Sequence, residues 1–215
     1  MVFYIRHYGL VRFCRELHYQ LSNGYHERRL CVNTAGMIKA EELGFQNREF
    51  KDCFPMGYQH IYAVLKKIPI PSCQVVFLDY GTGKGRAVVT AATFPYKRVL
   101  GVEVVEELIE IARHNLERMN HKKAEQVQLY HLNAAKFCLS QDVNVIYFFN
   151  PFEGQVLQEV INQIYDSYTT HPRKMYIIFF NNDHFEKCID GQGWIKKIYH
   201  TKFYPTYTCG LYKIG

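Results

Sequence analysis

The sequence predicts an α/β fold: a mostly parallel seven-stranded sheet with a C-terminal antiparallel hairpin and an N-terminal, mainly helical cap. From Cys73 onward, short apolar runs alternate with segments whose apolar residues recur at helical spacing. Strands that alternate with helices build parallel sheets through right-handed crossovers. The tail, GWIKKIYHTKFYPTYTCGLYKIG, alternates in polarity and contains Pro and Gly breaks, which indicates the closing hairpin.

Five strands and four helices are predicted between Cys73 and the tail. The strands are CQVVFLDY, KRVLGVEV, EQVQLYHLN, VNVIYFFN and KMYIIFFNN. The nearly continuous apolar character of VNVIYFFN is typical of a strand that is covered on both faces. The helices are RAVVTAATF, VEELIEIARHNLERMN, GQVLQEVINQIYDSY and DHFEKCID. In the second helix the acidic residues lie near the start, where the helix dipole favours them.

The first seventy residues do not show this alternation of strands and helices. Residues 3–21 predict a helix rich in aromatic residues and Arg, and CFPMGYQHIYAVLKKI predicts a turn followed by a helix that leads into the sheet. We therefore expect residues 1–70 to form a cap or lid on a domain that comprises residues 71–215. This segment holds ten Lys or Arg against six Asp or Glu, a basic bias that permits an anionic partner.

Composition narrows the class of protein. With 215 residues, 48% hydrophobic and 21% charged, the chain is predicted to be globular, and no stretch approaches the roughly 18 apolar residues of a membrane span. The 7 cysteines are scattered, without metal-type spacing and without a signal peptide. They predict reduced, buried thiols in a cytoplasmic protein, and no metal site.

The stretch VFLDYGTGKGR places a glycine-rich turn after the first predicted strand. A phosphate loop, G-x-x-x-x-G-K-[S/T], is excluded because Leu78 replaces its first glycine and Gly85 replaces its hydroxyl residue. A dinucleotide turn, G-x-G-x-x-G, is disfavoured because Arg86 occupies the sixth position. What remains is D-x-G-x-G-x-G, in which the missing side chains let the backbone touch a ligand.

Polar residues at the ends of three strands indicate what kind of ligand the turn binds. Asp79 in the turn motif favours a ligand with a cationic or hydroxylic part over a pyrophosphate. Glu103 ends the second strand, where a carboxylate can accept both hydroxyls of a ribose. Asn133 ends the third strand and could meet an adenine edge. A nucleoside with an amino-acid tail and no phosphates fits this pattern, and S-adenosylmethionine has that composition.

From Asp79 to about Phe152 the chain resembles a class I, Rossmann-like S-adenosylmethionine-dependent methyltransferase, and the strand–helix rhythm carries the resemblance to the C-terminus. The resemblance implies that the turn wraps the methionine portion, that Glu103 holds the ribose and that Asn133, where Asp is commoner, contacts adenine. The implied cofactor-binding set is Asp79, Tyr80, Gly81, Thr82, Gly83, Gly85, Glu103 and Asn133. More narrowly, the chain resembles a group of small bacterial methyltransferases of unassigned substrate.

The fourth strand ends in FFNPFEG, which we expect to face the transferable methyl group. Asn150 could accept hydrogen bonds from an incoming amine, and Phe152 could stack on a flat substrate or exclude water. The motif resembles the [D/N]-P-P-[Y/F] of amino-methyltransferases with one proline missing. A neutral amine needs no strong base, so positioning is the main task. The acceptor is left open as a protein, a small molecule or a nucleic acid.

Three alternatives stay open at this point. Lys84 and Arg86 could meet the cofactor carboxylate or an anionic substrate, or they could lie at a solvated helix start. The Asn181–Asp183 stretch could cap the following helix, which we favour, or contact the substrate. The protein could also be a catalytically inactive methyltransferase-like binding protein.

Overall fold

The computed structural model describes residues 9–44, 51–181 and 183–215. These residues form one seven-stranded sheet. Its strands are β1 (Val76–Tyr80), β2 (Arg98–Glu103), β3 (Gln126–His131), β4 (Val145–Phe149), β5 (Met175–Phe180), β6 (Ile195–Phe203) and β7 (Tyr207–Ile214). The spatial order is β3-β2-β1-β4-β5-β7-β6.

Five strands run in parallel and the hairpin closes the sheet. Strands β1 to β5 pair in parallel, and β7 lies antiparallel between β5 and β6. The predicted fold class is confirmed, including the C-terminal antiparallel hairpin. The strand order reverses between β1 and β4, which creates a crevice at their carboxyl ends where open α/β sheets bind ligands.

Six helices surround the sheet in the described part of the chain. They are α1 (Leu10–Leu30), α2 (Tyr58–Leu65), α3 (Arg86–Ala91), α4 (Glu106–Arg118), α5 (Gly154–Thr170) and α6 (Asp183–Ile189). Within these described residues, no helix combines the length and apolar character that a membrane span needs.

Two apolar layers cover the two faces of the central strands. One layer packs side chains of α5 and α6, such as Leu157 and Phe185, against the sheet. The other packs side chains of α2 and α3, such as Ile61 and Val88, against the opposite face. All residues of β1 and β5 are buried, which explains why these strands are continuous apolar runs in the sequence.

Helix α1 extends further along the chain than the sequence predicts. The predicted helix spanned 3–21, whereas α1 runs Leu10–Leu30, and residues 3–8 lie outside the described part. The stretch SNGYHERRL contains residues of low helix propensity, but tertiary contacts override that preference. The buried Asn23 side chain accepts a hydrogen bond from the backbone N–H of Tyr58 at 3.1 Å, which ties the second half of α1 to α2.

A buried ion pair connects α1 to the start of α3. The guanidinium of Arg86 donates to Glu27 Oε1 at 2.9 Å and to Thr34 Oγ1 at 2.7 Å. A third guanidinium nitrogen donates to the backbone carbonyl of Met56 at 3.3 Å. The guanidinium also lies 4.7 Å from the centre of the Tyr58 ring, within the range of a cation–π contact.

In the structure the charged groups of Lys84 and Arg86 contact the N-terminal segment, and both residues also line the cavity at the carboxyl ends of the strands. Arg86 is 6% exposed and its donors are engaged by residues 27, 34 and 56. The Lys84 ammonium donates to the backbone carbonyl of Ala35 at 2.7 Å. Both cations therefore hold the N-terminal segment, a long-range role that local sequence does not reveal.

The exposure of the cysteines differs in part from the expectation that they are buried thiols. All seven cysteines are free, and Cys209 is buried as expected. Cys14, Cys73 and Cys138 are exposed, so the expectation of buried thiols is wrong for these three.

We predict that Glu27→Gln lowers the free energy of unfolding by about 3 kcal/mol, because it leaves the buried Arg86 guanidinium without its counter-charge. Urea unfolding followed by circular dichroism measures the change. The control is Glu110→Gln, which breaks the exposed pair of Glu110 with Arg113 and should cost under about 1 kcal/mol. Equal losses in the two variants would contradict a structural role for the buried pair.

Candidate active site

A cavity lies at the carboxyl ends of β1, β2 and β4. Its floor is formed by the glycine turn after β1, and one side is lined by Glu103 to Val105 and Leu108. Phe149, Pro151 and Phe152 line the side that follows β4. The N-terminal segment supplies the opposite wall, with residues Thr34, Leu43, Lys51, Asp52, Cys53, Phe54, Pro55 and Met56.

Asp79 is buried in the wall of this cavity near the end of β1. Thr82 Oγ1 donates a hydrogen bond to its Oδ2 at 2.7 Å. Burial raises the pKa of Asp79 to about 7, the hydrogen bond from Thr82 opposes the rise, and the negative charge of Glu103 adds to it. A cationic ligand group would reverse this balance by stabilising the ionised carboxylate.

Glu103 joins the end of β2 to the glycine turn. Its Oε2 accepts the backbone N–H of Gly83 at 2.8 Å, and its Oε1 accepts those of Val104 and Val105 at 2.9 and 3.1 Å. Burial raises the pKa of Glu103, and the three backbone donors oppose that rise. A carboxylate oxygen has two lone pairs, so Oε2 retains acceptor capacity toward the cavity that Glu103 lines.

The three predicted glycines divide into two groups. Gly81 and Gly83 line the cavity. Gly81 has a φ of 73°, and a Cβ there would lie 2.3 Å from Pro151 Cβ, so only glycine lets the β4 loop approach the turn. Gly85 does not line the cavity; a Cβ there would meet the Cβ of Ala112 at 3.0 Å, so Gly85 serves the packing of α4.

Two predicted cofactor residues lie away from the cavity wall. Tyr80 follows Asp79 in β1, so its side chain points to the opposite face, where its ring stacks on Phe148 at 5.3 Å. The Asn133 Oδ1 accepts the backbone N–H of Ala135 at 2.9 Å and caps a short 3₁₀ turn. Leu132 and Ala134, on either side of Asn133, line the cavity, whereas Asn133 is not among the lining residues.

The β4 loop brings one of the two expected acceptor residues to the cavity. Phe152 is buried in the wall and meets Phe148 edge-to-face at 6.2 Å. Asn150 does not line the cavity; its φ is 42°, and its buried Oδ1 has no hydrogen-bond partner among the described residues. A left-handed asparagine directly before a proline is a strained conformation of the kind that functional loops retain.

The residues after β5 lie at the start of α6. Asp183 occupies the first turn of α6, where a carboxylate favours the helix dipole. Asn181 is left-handed, with a φ of 53°, and its backbone N–H donates to the carbonyl of Thr208 at 2.9 Å. Asn182, the middle residue of the predicted cap, lies outside the described residues.

Sequence reasoning missed two kinds of cavity residue. Residues 51–56 line the cavity through a long-range arrangement of the N-terminal segment for which the sequence has no local signal. Tyr147 also lines the cavity. Its signal was present, since it supplies a hydroxyl within an otherwise apolar strand, opposite Asp79 in the β1–β4 register. In the described parts of the chain, no group of three or more His, Cys, Asp or Glu is arranged to hold a metal ion.

The family of the chain follows from a match to a known domain. Residues 72–190 match a family model described as a methyltransferase domain. Because the match spans more than half of the chain, the protein belongs to this methyltransferase domain family. The resemblance to class I, Rossmann-like S-adenosylmethionine-dependent methyltransferases is thereby confirmed. No curated protein matches the chain significantly.

Solved structures with the same fold include methyltransferases that are named for different methyl acceptors. An RNA methyltransferase from Salinibacter ruber in complex with S-adenosyl-L-homocysteine aligns with a TM-score of 0.58 and 17% identity, over 74% of this chain and 93% of that chain. A ribosomal-protein methylase from Lactobacillus delbrueckii subsp. bulgaricus aligns at 0.54 and 16% identity, over 73% and 77%. A SAM-dependent methyltransferase from Aquifex aeolicus aligns at 0.56 and 14% identity, over 72% and 89%.

We predict that the stability of the ligand-free protein relative to Asp79→Asn falls as pH rises from about 4 to 8. The folded-state pKa of Asp79 is raised, so its contribution is complete below the unfolded pKa near 4 and is lost as pH passes about 7. Over this range the free energy of unfolding of the wild type falls by up to about 4 kcal/mol relative to that of Asp79→Asn. Urea unfolding at several pH values measures it. The control is Asp166→Asn, which removes a carboxylate from the exposed face of α5. A difference between wild type and Asp79→Asn that stays constant from about pH 4 to 8 would contradict the prediction.

Proposed function

We propose that this protein is an S-adenosylmethionine-dependent methyltransferase that transfers a methyl group to an amine or another nucleophile. The observation that carries the proposal is the buried Glu103 carboxylate, bonded to the N–H of Gly83 and facing the cavity at the end of β2. In a methyltransferase domain, this arrangement joins a ribose-binding acid to a turn whose backbone is open to the ligand.

The cavity residues fit the parts of this cofactor. The free lone pairs of Glu103 can accept the ribose hydroxyls. The apolar side chains of Val105, Leu108 and Leu132 line the same side of the cavity and suit an adenine ring. Gly81 and Asp79 lie toward β4, where the amino-acid tail would extend. The Asn133 side-chain oxygen accepts one hydrogen bond from Ala135, which leaves its second lone pair and its amide N–H groups for the adenine.

S-adenosylmethionine supplies a methyl group on a sulfonium, and the chain must position the nucleophile and exclude water. Phe152 closes the cavity on the β4 side with an apolar ring. Asn150 carries a buried amide oxygen without a partner among the described residues, in a strained loop. Asn150 does not itself line the cavity, but it directly precedes Pro151, which does. We assign its amide oxygen the role of accepting a hydrogen bond from an amine acceptor that enters beside this loop, which would orient the nitrogen lone pair for in-line attack.

The class of acceptor stays open among protein, small molecule and nucleic acid. Similar folds serve an RNA methyltransferase and a ribosomal-protein methylase. The arginines of α1 at positions 12, 15, 28 and 29 are exposed, so the basic bias of the N-terminal segment is available to an anionic acceptor. No feature of the described residues favours an inactive binding protein, since Asp79 and Glu103 both line the cavity.

We predict that the wild-type protein binds S-adenosylhomocysteine and that Glu103→Ala weakens this affinity at least tenfold. Hydrogen bonds to a charged group contribute about 1.5–3 kcal/mol, which corresponds to one or two factors of ten. Isothermal titration calorimetry measures the affinity. The matched control is Glu106→Ala, which removes an exposed carboxylate three residues along the chain and should leave it unchanged. Absence of binding by the wild type at millimolar ligand would overturn the proposed function.

We predict that Asn150→Ala lowers methyl transfer at least tenfold while the affinity for S-adenosylhomocysteine stays within twofold, because the amide serves the acceptor rather than the cofactor. The measurement is incorporation of labelled methyl groups into protein, nucleic-acid and small-molecule fractions of a cell extract. An unchanged rate in the fraction that the wild type labels would remove the assignment of Asn150.

A further inference from the structure

Tyr147 places a buried hydroxyl in the middle of β4. Its ring packs between Phe77 and Phe180, with centroid distances of 6.0 and 5.7 Å, and the residue is 2% exposed. The hydroxyl has no hydrogen-bond partner among the described residues. Leaving a buried hydroxyl unpaired costs about 1–3 kcal/mol, whereas a Phe would fill the same space without that cost. Tyr19 and Tyr80 also carry buried hydroxyls without a partner in the described part of the chain, but of these three tyrosines only Tyr147 lines the cavity.

The hydroxyl belongs to the same part of the cavity as Asp79. Tyr147 and Asp79 are direct partners in the parallel β1–β4 register, and both line the cavity. Paired positions on neighbouring strands place their side chains on the same face, about 5 Å apart at the backbone. The carboxylate charge of Asp79 contributes to raising the pKa of Tyr147, after burial, which agrees with this proximity.

The carboxyl oxygens of Asp79 and the phenol oxygen of Tyr147 are suited to bind a group that carries several N–H donors. Thr82 occupies one oxygen of the Asp79 carboxyl, which leaves the other carboxyl oxygen and the Tyr147 phenol oxygen as acceptors. Both cations near the turn are engaged by the N-terminal segment: Glu27 and Thr34 accept from the Arg86 guanidinium, and the carbonyl of Ala35 accepts from the Lys84 ammonium. A ligand ammonium would supply the missing positive charge beside Asp79 and a donor for the phenol oxygen.

We propose that the Tyr147 hydroxyl, beside Asp79, binds the ammonium group of the cofactor's amino-acid tail. The inference rests on the proposed function and deepens it by naming a residue that selects the tail. An amine acceptor carries the same chemistry, but Asp79 and Thr82 belong to the turn that holds the cofactor. Gly81, the next cavity residue along that turn, contacts the loop after β4 through Pro151.

The test compares two ligands that differ in the tail. S-adenosylhomocysteine carries the ammonium and the carboxylate, whereas 5′-methylthioadenosine keeps the adenosine and the thioether and lacks both. In Tyr147→Phe, we expect affinity for S-adenosylhomocysteine to fall about tenfold and affinity for 5′-methylthioadenosine to stay within twofold, as measured by calorimetry. The control is Tyr96→Phe, a buried tyrosine that also packs against Phe77 but does not line the cavity; it should change neither affinity.

Stability of the ligand-free protein provides a second readout. Removing an unpaired buried hydroxyl should leave the melting temperature of Tyr147→Phe equal to or above that of the wild type. A lower melting temperature would assign the hydroxyl a structural role and overturn the proposal.

The outcomes separate this inference from the proposed function. If the wild type binds S-adenosylhomocysteine and the ratio of the two affinities is the same in Tyr147→Phe, this inference fails and the proposed function stands. The inference fails in that case even when turnover falls, because the hydroxyl would then serve the acceptor. If the wild type does not bind S-adenosylhomocysteine, the proposed function fails and this inference fails with it.

Discussion

The hydrogen bond between the Gly83 N–H and the Glu103 carboxylate is the contact on which the rest of the site depends. It fixes the glycine turn after β1 to the end of β2, and the second carboxylate oxygen fixes the backbone that enters α4. The carbonyl of Val102 strengthens the same junction, because it accepts the N–H groups of Gly81 and Thr82 at 2.9 and 3.0 Å. One buried carboxylate thus holds the turn in shape and lines the cavity, so a ligand that binds Glu103 would be coupled to the geometry of the turn.

The N-terminal segment is attached to this same turn. Arg86, the first residue of α3, pairs with Glu27 of α1, and Lys84 within the turn holds the carbonyl of Ala35. Residues 51–56 then complete the cavity wall. The segment that completes the cavity wall is therefore held by charges from the glycine turn, and a shift of the turn would be transmitted to the wall opposite it.

The sequence predicted the parts of the site that local pattern determines. Asp79 and Glu103 were identifiable because polar residues at the ends of apolar strands converge on one edge of a parallel sheet. The Tyr147 hydroxyl was visible as a polar group within an apolar strand, but its place beside Asp79 depends on a β1–β4 register that is set only by folding. The role of Arg86 was not predictable, since its partner Glu27 lies 59 residues away along the chain. Asn133 follows the end of β3, as the sequence predicts. Its side chain caps the short 3₁₀ turn that comes next, and the pattern of strand ends does not predict that cap.

Three polar groups in and around the cavity share an energetic property that bears on function. Asp79 is buried without a cationic partner among the described residues, and the Tyr147 hydroxyl and the Asn150 amide oxygen are buried without hydrogen bonds among them. Each costs folding free energy that an apolar or neutral replacement would recover. Their clustering at the carboxyl ends of β1 and β4 is expected where ligand groups complete the missing interactions, since stability is commonly sacrificed at sites that bind. Among the described residues, buried hydroxyls without a partner also occur away from the cavity, at Tyr19 and Tyr80. A ligand is therefore indicated by the position of Asp79 and Tyr147 side by side in the cavity wall, where a bound group can reach both of them.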